Sequence, residues 1–253
     1  MSKLPKAHQF VDLSDYGRPT ARVISLALKD TKFTPIHVTI GFIISGLLGV
    51  ISIIYGYYWF AAFFLIFKSI LDAADGELAR IKKTPSHTGR YLDSVADIIL
   101  NAIILLALWY VSDTNILYTA LAFLGIQLQG TLYNYYYVIL RNRYNGDTTS
   151  RVFEYTVPKA LTGEKQKNVN FLFKLYKIFY GVFDKVIYAL DKNASKGKVL
   201  PKWLMTAIST FGLGFQLLII AIMLVFGLKN SIIPFFIGYS PMIFVFILIR
   251  KLL

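Results

Sequence analysis

Four aspartates stand in a fixed pattern inside an otherwise strongly apolar sequence. The segment from 72 to 97 reads DAADGELARIKKTPSHTGRYLDSVAD and contains Asp72, Asp75, Asp93 and Asp97. A carboxylate beside lipid is costly, and an uncompensated cluster would neutralise itself rather than stay charged. A divalent cation is the simplest compensation, and ligands that are all oxygen suit Mg2+ or Mn2+. The segment therefore predicts a metal centre.

Helical spacing sorts the motif into two stripes, because residues three or four apart share a helix face. The first stripe holds Asp72, Asp75, Gly76, Ala79 and Arg80. Asp93 and Asp97 form the second stripe, with Gly89 one turn earlier. The short connection 81–90 makes the two helices antiparallel neighbours, so we expect the stripes to face each other across one site.

The chemistry expected of this site is transfer of a phosphorus group. A metal held by carboxylates beside a lone arginine suits a diphosphate, since the metal bridges phosphate oxygens and the guanidinium spreads over developing charge. Gly76, Ala79 and Gly89 leave room for a flat or phosphorylated group to approach the backbone. Asp97, the last acid of the series, is the candidate to take a proton from an attacking hydroxyl.

Composition indicates a membrane protein. The 253 residues are 56% hydrophobic and 16% charged, with a mean hydropathy of +0.55, whereas charged residues make up about a quarter of a soluble domain. The net charge of +13 fits a polybasic face against anionic lipid headgroups, and we expect no nucleic-acid partner. Cysteine is absent, so any metal is held by oxygen or histidine.

Six runs approach the length of about twenty apolar residues that crosses a bilayer. They lie near 37–57, 58–80, 91–112, 115–140, 203–228 and 230–250. Lysine and arginine mark the cytoplasmic side, and 25 of the 27 lie in connections or termini on one side of these six spans. Both termini and the aspartate motif are therefore expected to face the cytoplasm. In the absence of a recognisable signal peptide or other targeting segment we expect a bacterial plasma (inner) membrane.

The predicted organisation is a cytoplasmic N-terminal segment, 1–36, followed by a six-helix catalytic domain, 37–253. Within that domain, a basic cytoplasmic stretch at 141–202 joins the fourth and fifth spans. Residues 7–30 and 169–192 mix apolar and charged side chains and predict helices lying on the membrane surface. The expected fold class is all-α and integral to the membrane, with six transmembrane helices and an amphipathic N-terminal surface helix.

Written as Asp-x2-Asp-Gly-x2-Ala-Arg-x8-Gly-x3-Asp-x3-Asp, residues 72–97 resemble the defining motif of the CDP-alcohol phosphotransferases, with all eight specified positions present. The resemblance implies a six-helix membrane enzyme, commonly a homodimer. Such an enzyme transfers a substituted phosphate from a CDP-alcohol to an acceptor hydroxyl and releases CMP.

The resemblance also implies residue roles. By position, Asp72, Asp75 and Asp93 would be mainly metal ligands, with Asp97 as a further ligand and the general base. The cytidine diphosphate pocket would be lined by Gly76, Ala79, Arg80 and Gly89. Upstream, TPIHVT at 34–39 is similar to a family segment that adds Pro35 and Thr39 to this pocket, although Ile36 replaces the family's asparagine.

The acceptor is less well defined by the sequence. Arg141, Arg143 and Arg151 follow the fourth span and could clasp a phosphorylated acceptor, or they could simply follow the positive-inside rule. We predict a metal-dependent transfer of a phosphatidyl group from CDP-diacylglycerol to a polar alcohol in phospholipid biosynthesis. The alternative donor is a CDP-headgroup of the choline or ethanolamine type, with a lipid alcohol as acceptor. A membrane ion transporter and an inactive scaffold are the alternatives of another class.

Three further features have ordinary explanations. Glu77 points away from the first aspartate stripe, which predicts a solvated surface position. Lys68 lies one turn before Asp72 and would either pair with that acid or reach a diphosphate. The tyrosine group is predicted to form an aromatic belt at the membrane boundary. It comprises Tyr133, Tyr135, Tyr136 and Tyr137.

Overall fold

The structure, a computed structural model, describes residues 4–146, 154 and 156–253. The described residues form α-helices and short 3-10 turns, with no strand among them. The helices are α1 (Arg18–Leu28), α2 (Pro35–Ile54), α3 (Tyr58–Lys82), α4 (His87–Val111), α5 (Ile116–Arg143), α6 (Gln166–Leu190), α7 (Lys202–Ile208), α8 (Leu213–Val225), α9 (Lys229–Tyr239) and α10 (Met242–Leu252). The prediction of an all-α chain is confirmed for the described residues.

Four helical segments of the described chain are long and apolar enough to cross a membrane: α2, α4, α5 and the stretch formed by α9 and α10. The pair α7 and α8 makes a fifth candidate if the two helices count as one bent span. The helix α3 has the necessary length, but its charged side chains, among them Lys68, Asp72 and Asp75, keep it outside this group. The membrane assignment is thus supported with four to five candidate spans, and the count of six stays a prediction.

The fifth predicted span, 203–228, is not one straight helix. A 3-10 turn at Ser209–Phe211 and an extended Gly212 separate α7 from α8, and the two parts are bent by 56°. The N-terminal segment fits into this break, where the backbone N–H of Leu13 donates to Ser209 Oγ at 2.9 Å. A Cβ on Gly214 would lie 2.0 Å from the carbonyl oxygen of Ser14, so this contact requires glycine.

The N-terminal helix α1 packs on α3. Ala21 is fully buried, and Ser25 Oγ donates a hydrogen bond of 2.9 Å to the carbonyl oxygen of Ala74. The opposite face exposes apolar side chains, including Val23 at 68%. A helix therefore forms inside the predicted surface segment 7–30, and its position on a membrane stays a prediction.

The helix α6 covers the start of α4. Val169 and Phe173 are buried against Tyr91, and Tyr180 donates from its hydroxyl to the carbonyl oxygen of Ser94 at 3.0 Å. The predicted surface helix at 169–192 thus corresponds to a helix that lies beside the aspartate motif. Its outer face exposes apolar side chains such as Ile178 at 59%.

The predicted aromatic belt is wrong for two of its four tyrosines. Tyr135 and Tyr136 are buried in the protein rather than placed at a lipid boundary. Tyr136 donates to Asp191 Oδ2 at 2.7 Å and Tyr135 donates to the backbone oxygen of the same residue at 2.9 Å. Arg250 Nε also donates to Asp191 Oδ2, at 2.7 Å. These tyrosines therefore join α5 to α10 through one buried carboxylate, because a buried charge needs partners.

Candidate active site

The helices α3 and α4 bring the two halves of the aspartate motif together. The helix α3 ends at Lys82, and Lys83 turns the chain in the left-handed region with φ 53°. Ser86 then caps α4 by accepting from the N–H of Gly89 at 2.8 Å, as expected for a serine at this position. Only residues 83–86 separate the helices, so their charged ends are neighbours.

Three of the four predicted ligands share one locus. Asp72, Asp75 and Asp93 each offer a carboxylate oxygen, and these oxygens lie within 4.8 Å of one another. The buried Oδ1 of Asp93 has no hydrogen-bond partner among the described residues. Clustered carboxylates with an unpartnered buried oxygen have the chemistry of a site for a hard divalent cation. The residues present therefore fit the predicted Mg2+ or Mn2+.

The fourth aspartate stands apart from the other three. Asp97 does not belong to the group that could share an ion, and its Oδ1 accepts a hydrogen bond from Lys68 Nζ. Among the described residues Asp97 Oδ2 takes part in no hydrogen bond, which leaves one oxygen of this carboxylate open. Asp72, Asp75 and Asp93 thus form one group of possible metal ligands, whereas Asp97 is paired with the ammonium of Lys68.

Thr39 lies beside the three clustered aspartates. This residue was predicted to line the CDP pocket together with Pro35, the first residue of α2. The structure buries Thr39 and directs its hydroxyl to Asp75 Oδ2 at 2.7 Å. A hydrogen bond to a ligating carboxylate fixes the direction of its lone pairs. Thr39 is therefore in a position to orient Asp75.

Glu77 is buried, so its predicted solvated position is wrong. Its side chain is 3% exposed, and Oε2 accepts from Arg80 Nη2 at 2.9 Å. Arg18 Nη1 of the N-terminal helix lies 3.6 Å from the same carboxylate oxygen. Arg80 is one of the predicted contacts of the CDP moiety. The hydrogen bond to Glu77 restricts the position of its guanidinium.

The small residues of the motif remain partly accessible. Gly76, Ala79 and Gly89 are half-buried. A Cβ on Gly76 would lie 3.5 Å from Arg80 Nη1, which is ordinary contact, so a side chain here would take the space beside the guanidinium. This arrangement is compatible with the predicted nucleotide pocket.

The three arginines predicted for the acceptor do not form one group among the described residues. Arg141 is 3% exposed, and its guanidinium carbon lies 5.2 Å from the centre of the Tyr137 ring. Arg143 is exposed and donates to the carbonyl oxygen of Gly197 at 2.8 Å. Arg151 lies outside the described residues. The acceptor role of these residues stays a prediction.

Two acidic residues of the connection between α5 and α6 were missed by sequence reasoning. Glu154 pairs with Arg90, with Oε2 2.6 Å from Nη2. Glu164 Oε1 accepts from the N–H of Thr88 at 2.6 Å and from the Ser86 hydroxyl at 2.7 Å. No motif surrounds either acid, and their partners are more than sixty residues away in the sequence. The basic segment thus contacts the first turn of α4, close to the aspartates.

The family model of the CDP-alcohol phosphatidyltransferases matches residues 32–248 of the chain, a range that includes the whole aspartate motif. The chain belongs to this family. A search of the curated proteins finds no match. Membership in the CDP-alcohol phosphatidyltransferase family implies a transferase that uses a CDP-alcohol donor and an alcohol acceptor. The family's use of a divalent metal agrees with the cluster formed by Asp72, Asp75 and Asp93.

Proposed function

We propose that the protein joins the phosphatidyl group of CDP-diacylglycerol to the hydroxyl of a polar alcohol and releases CMP, as a step of phospholipid biosynthesis. One observation carries the proposal. In a chain of this family, three carboxylates converge on one locus while the fourth remains outside it with one oxygen open. This arrangement separates binding of a diphosphate from removal of a proton.

The ligand set would be Asp72, Asp75 and Asp93. These three residues would hold a divalent cation, which would supply positive charge to offset the charge that develops on the leaving phosphate. Thr39 keeps Asp75 oriented through its 2.7 Å hydrogen bond. Arg80, held by Glu77, would donate to the phosphates, and Gly76 leaves the guanidinium accessible. Arginine suits this contact because its planar fork matches phosphate oxygens.

Asp97 would act on the acceptor. Its open Oδ2 takes the proton of the acceptor hydroxyl, and the oxygen of that hydroxyl forms a bond to the phosphorus next to the lipid moiety. The bond from this phosphorus to the oxygen of the CMP phosphate breaks, and CMP leaves with that electron pair. Lys68 keeps Asp97 in place through its contact with Oδ1.

The acceptor and the setting of the enzyme complete the proposal. Arg143, which is exposed, would contact a phosphorylated acceptor, and Arg143→Ala should raise the KM of such an acceptor only. The chain would span the membrane six times with α3 as one of the spans. Lys229 is the one lysine or arginine in the connections on the other side of the six predicted spans, which favours a cytoplasmic site and cytoplasmic termini. We also propose a homodimer, which the family resemblance suggests, and a bacterial plasma membrane as its location.

The test is CMP release by the purified, detergent-solubilised protein with Mg2+ or Mn2+ and CDP-diacylglycerol. The acceptor panel contains glycerol 3-phosphate, inositol, inositol phosphate, serine and lipid alcohols. Metal-dependent release with one acceptor, lost in Asp97→Asn, supports the proposal and names the product. Arg22→Gln, a change of an exposed residue on α1, serves as a control that should leave the rate unchanged.

Two results would contradict the proposal in different ways. Release from CDP-choline or CDP-ethanolamine with a lipid alcohol, but not from CDP-diacylglycerol, would assign the headgroup donor instead. No CMP release with any CDP-alcohol and any metal would favour an ion transporter or an inactive scaffold. Uptake of divalent ions or protons into proteoliposomes separates these two.

A further inference from the structure

The ammonium group of Lys68 lies among the carboxylates of the proposed metal centre. Its side chain is fully buried, its Nζ donates to Asp97 Oδ1, and the same nitrogen lies 3.9 Å from Asp72 Oδ2. The ring centre of the buried Phe42 is 4.8 Å from Nζ. A buried lysine is retained only with charge partners, and here the partners are two of the four motif aspartates.

Four carboxylates on two facing helices could in principle hold two divalent ions about 3.5 to 4 Å apart, as in many phosphoryl-transfer sites. Among the residues that the structure describes, only Asp72, Asp75 and Asp93 offer oxygens to a common point. A second ion would need Asp97 together with a shared ligand, and Asp72 is the carboxylate nearest to the Lys68 nitrogen after Asp97. Lys68 therefore lies where that second ion would be shared.

Charge repulsion prevents the Lys68 ammonium and a second divalent ion from occupying this place together. A divalent ion held between Asp72 and Asp97 would be in contact distance of a buried ammonium, and like charges repel strongly where water is excluded. Lys68 has little room to move away, because it is enclosed by the protein and faces the Phe42 ring. The lysine also supplies positive charge at this place without a coordination shell.

We propose that Lys68 replaces a second divalent ion, so that the centre binds a single ion through Asp72, Asp75 and Asp93. The lysine is a positioning residue that holds Asp97 outside the coordination sphere. This inference rests on the metal centre of the proposed function. It goes beyond that function by stating that the centre holds one ion and by assigning a role to Lys68, a residue outside the motif.

The experiment counts Mn2+ bound to the metal-free, purified protein in detergent, without substrate, by electron paramagnetic resonance and calorimetry. The wild-type protein should bind one Mn2+ per chain with the six-line signal of an isolated ion. Lys68→Met keeps an unbranched side chain that is one atom shorter and uncharged, and it should admit a second Mn2+ that couples magnetically to the first. Lys68→Arg keeps the cation and should stay at one.

The matched control is Lys82→Met in the same helix. Lys82 Nζ donates to the carbonyl oxygen of Thr31 at 2.8 Å, away from the carboxylates, so the count should stay at one. Two ions in the wild-type protein, or one ion in a folded Lys68→Met protein, would overturn the inference alone. Should Lys68→Met fail to fold, a second ion in the wild-type protein would still overturn the inference. A wild-type protein that binds no Mn2+ would overturn the metal centre itself, and the inference with it.

Discussion

Glu77 Oε2 lies 2.9 Å from Arg80 Nη2, with the carboxylate buried one helical turn before the guanidinium. Arg18 of the N-terminal helix approaches the same oxygen to 3.6 Å. The buried acid restricts Arg80 through a hydrogen bond and attracts Arg18 through its charge, so the two arginines share one anchor. The N-terminal helix is therefore linked to the residue proposed to bind the donor phosphates.

Replacing Glu77 with Gln should weaken donor binding. The variant keeps the shape of the side chain but loses the charge that orients Arg80, and loss of about 1.4 kcal/mol would raise the KM for the CDP-alcohol roughly tenfold. The measurement is CMP release against donor concentration. Asp30→Asn is the matched control, because Asp30 is 85% exposed and pairs only with Lys29 at 3.6 Å among the described residues. An unchanged KM in Glu77→Gln would show that Arg80 needs no such support.

Thr39→Val should affect the metal and not the nucleotide. Valine removes the hydroxyl that donates to Asp75 Oδ2 at 2.7 Å, and loss of a hydrogen bond to a ligand typically weakens metal binding about 10 to 100-fold. The metal concentration for half-maximal CMP release should rise at least tenfold, while Thr39→Ser retains the donor and stays near wild type. A higher KM for the CDP-alcohol at saturating metal would instead place Thr39 in the nucleotide pocket.

The site motif and most helix limits could be predicted because both depend on local patterns. Apolar runs of fixed length mark helices such as α2 and α5, and a helical period of 3.6 places Asp72 beside Asp75. The convergence of α3 and α4 followed from the short connection between them. These features need no knowledge of distant contacts.

The features that were missed depend on contacts between distant segments. The break at Ser209 accommodates Leu13, which is 196 residues away in the sequence. Buried Glu77 lies beside Arg18 of another helix, and buried Tyr136 donates to Asp191. Helical periodicity describes one helix at a time, so it cannot show which polar face another segment will cover.

Glu164 should make stability depend on acid pH. Burial raises the pKa of Glu164, but hydrogen bonds from the N–H groups of Leu161 and Thr88 and from the Ser86 hydroxyl outweigh it and lower the pKa to about 2. The carboxylate also lies at the N-terminus of α4, where negative charge is favourable. Since the folded pKa lies below the ordinary value of 4.5, this stabilisation is complete above pH 4.5 and is lost as the pH falls toward 2.

The measurement is the thermal midpoint of the detergent-solubilised protein between pH 7 and pH 3. Glu164→Gln should lower the midpoint by several degrees at pH 7 and flatten its decline below pH 4.5, because the variant has no proton to take up. Asp30→Asn should leave the profile unchanged, since its carboxylate is exposed. Equal slopes for Glu164→Gln and the wild-type protein would show that this carboxylate does not contribute.

Tyr180→Phe tests how far one hydroxyl attaches α6 to α4. The Tyr180 hydroxyl donates to the carbonyl oxygen of Ser94 at 3.0 Å, between Asp93 and Asp97 in sequence, and its ring stacks on Tyr176 with centroids 5.2 Å apart. Phenylalanine keeps the stacking and removes a hydrogen bond with a net contribution of about 1 kcal/mol. Local opening of α6 should therefore become about fivefold more frequent.

Hydrogen exchange followed by mass spectrometry measures this opening in peptides from 171–190. Exchange should rise in those peptides and in the first turns of α4, while the far end of α4 stays protected. The control is Tyr110→Phe, because Tyr110 is 70% exposed near the C-terminal end of α4 and should change neither region. Faster exchange in α6 with an unchanged rate of CMP release would mean that α6 covers the site without taking part in turnover. A parallel loss of rate would mean that α6 must stay attached for Asp93 and Asp97 to keep their positions.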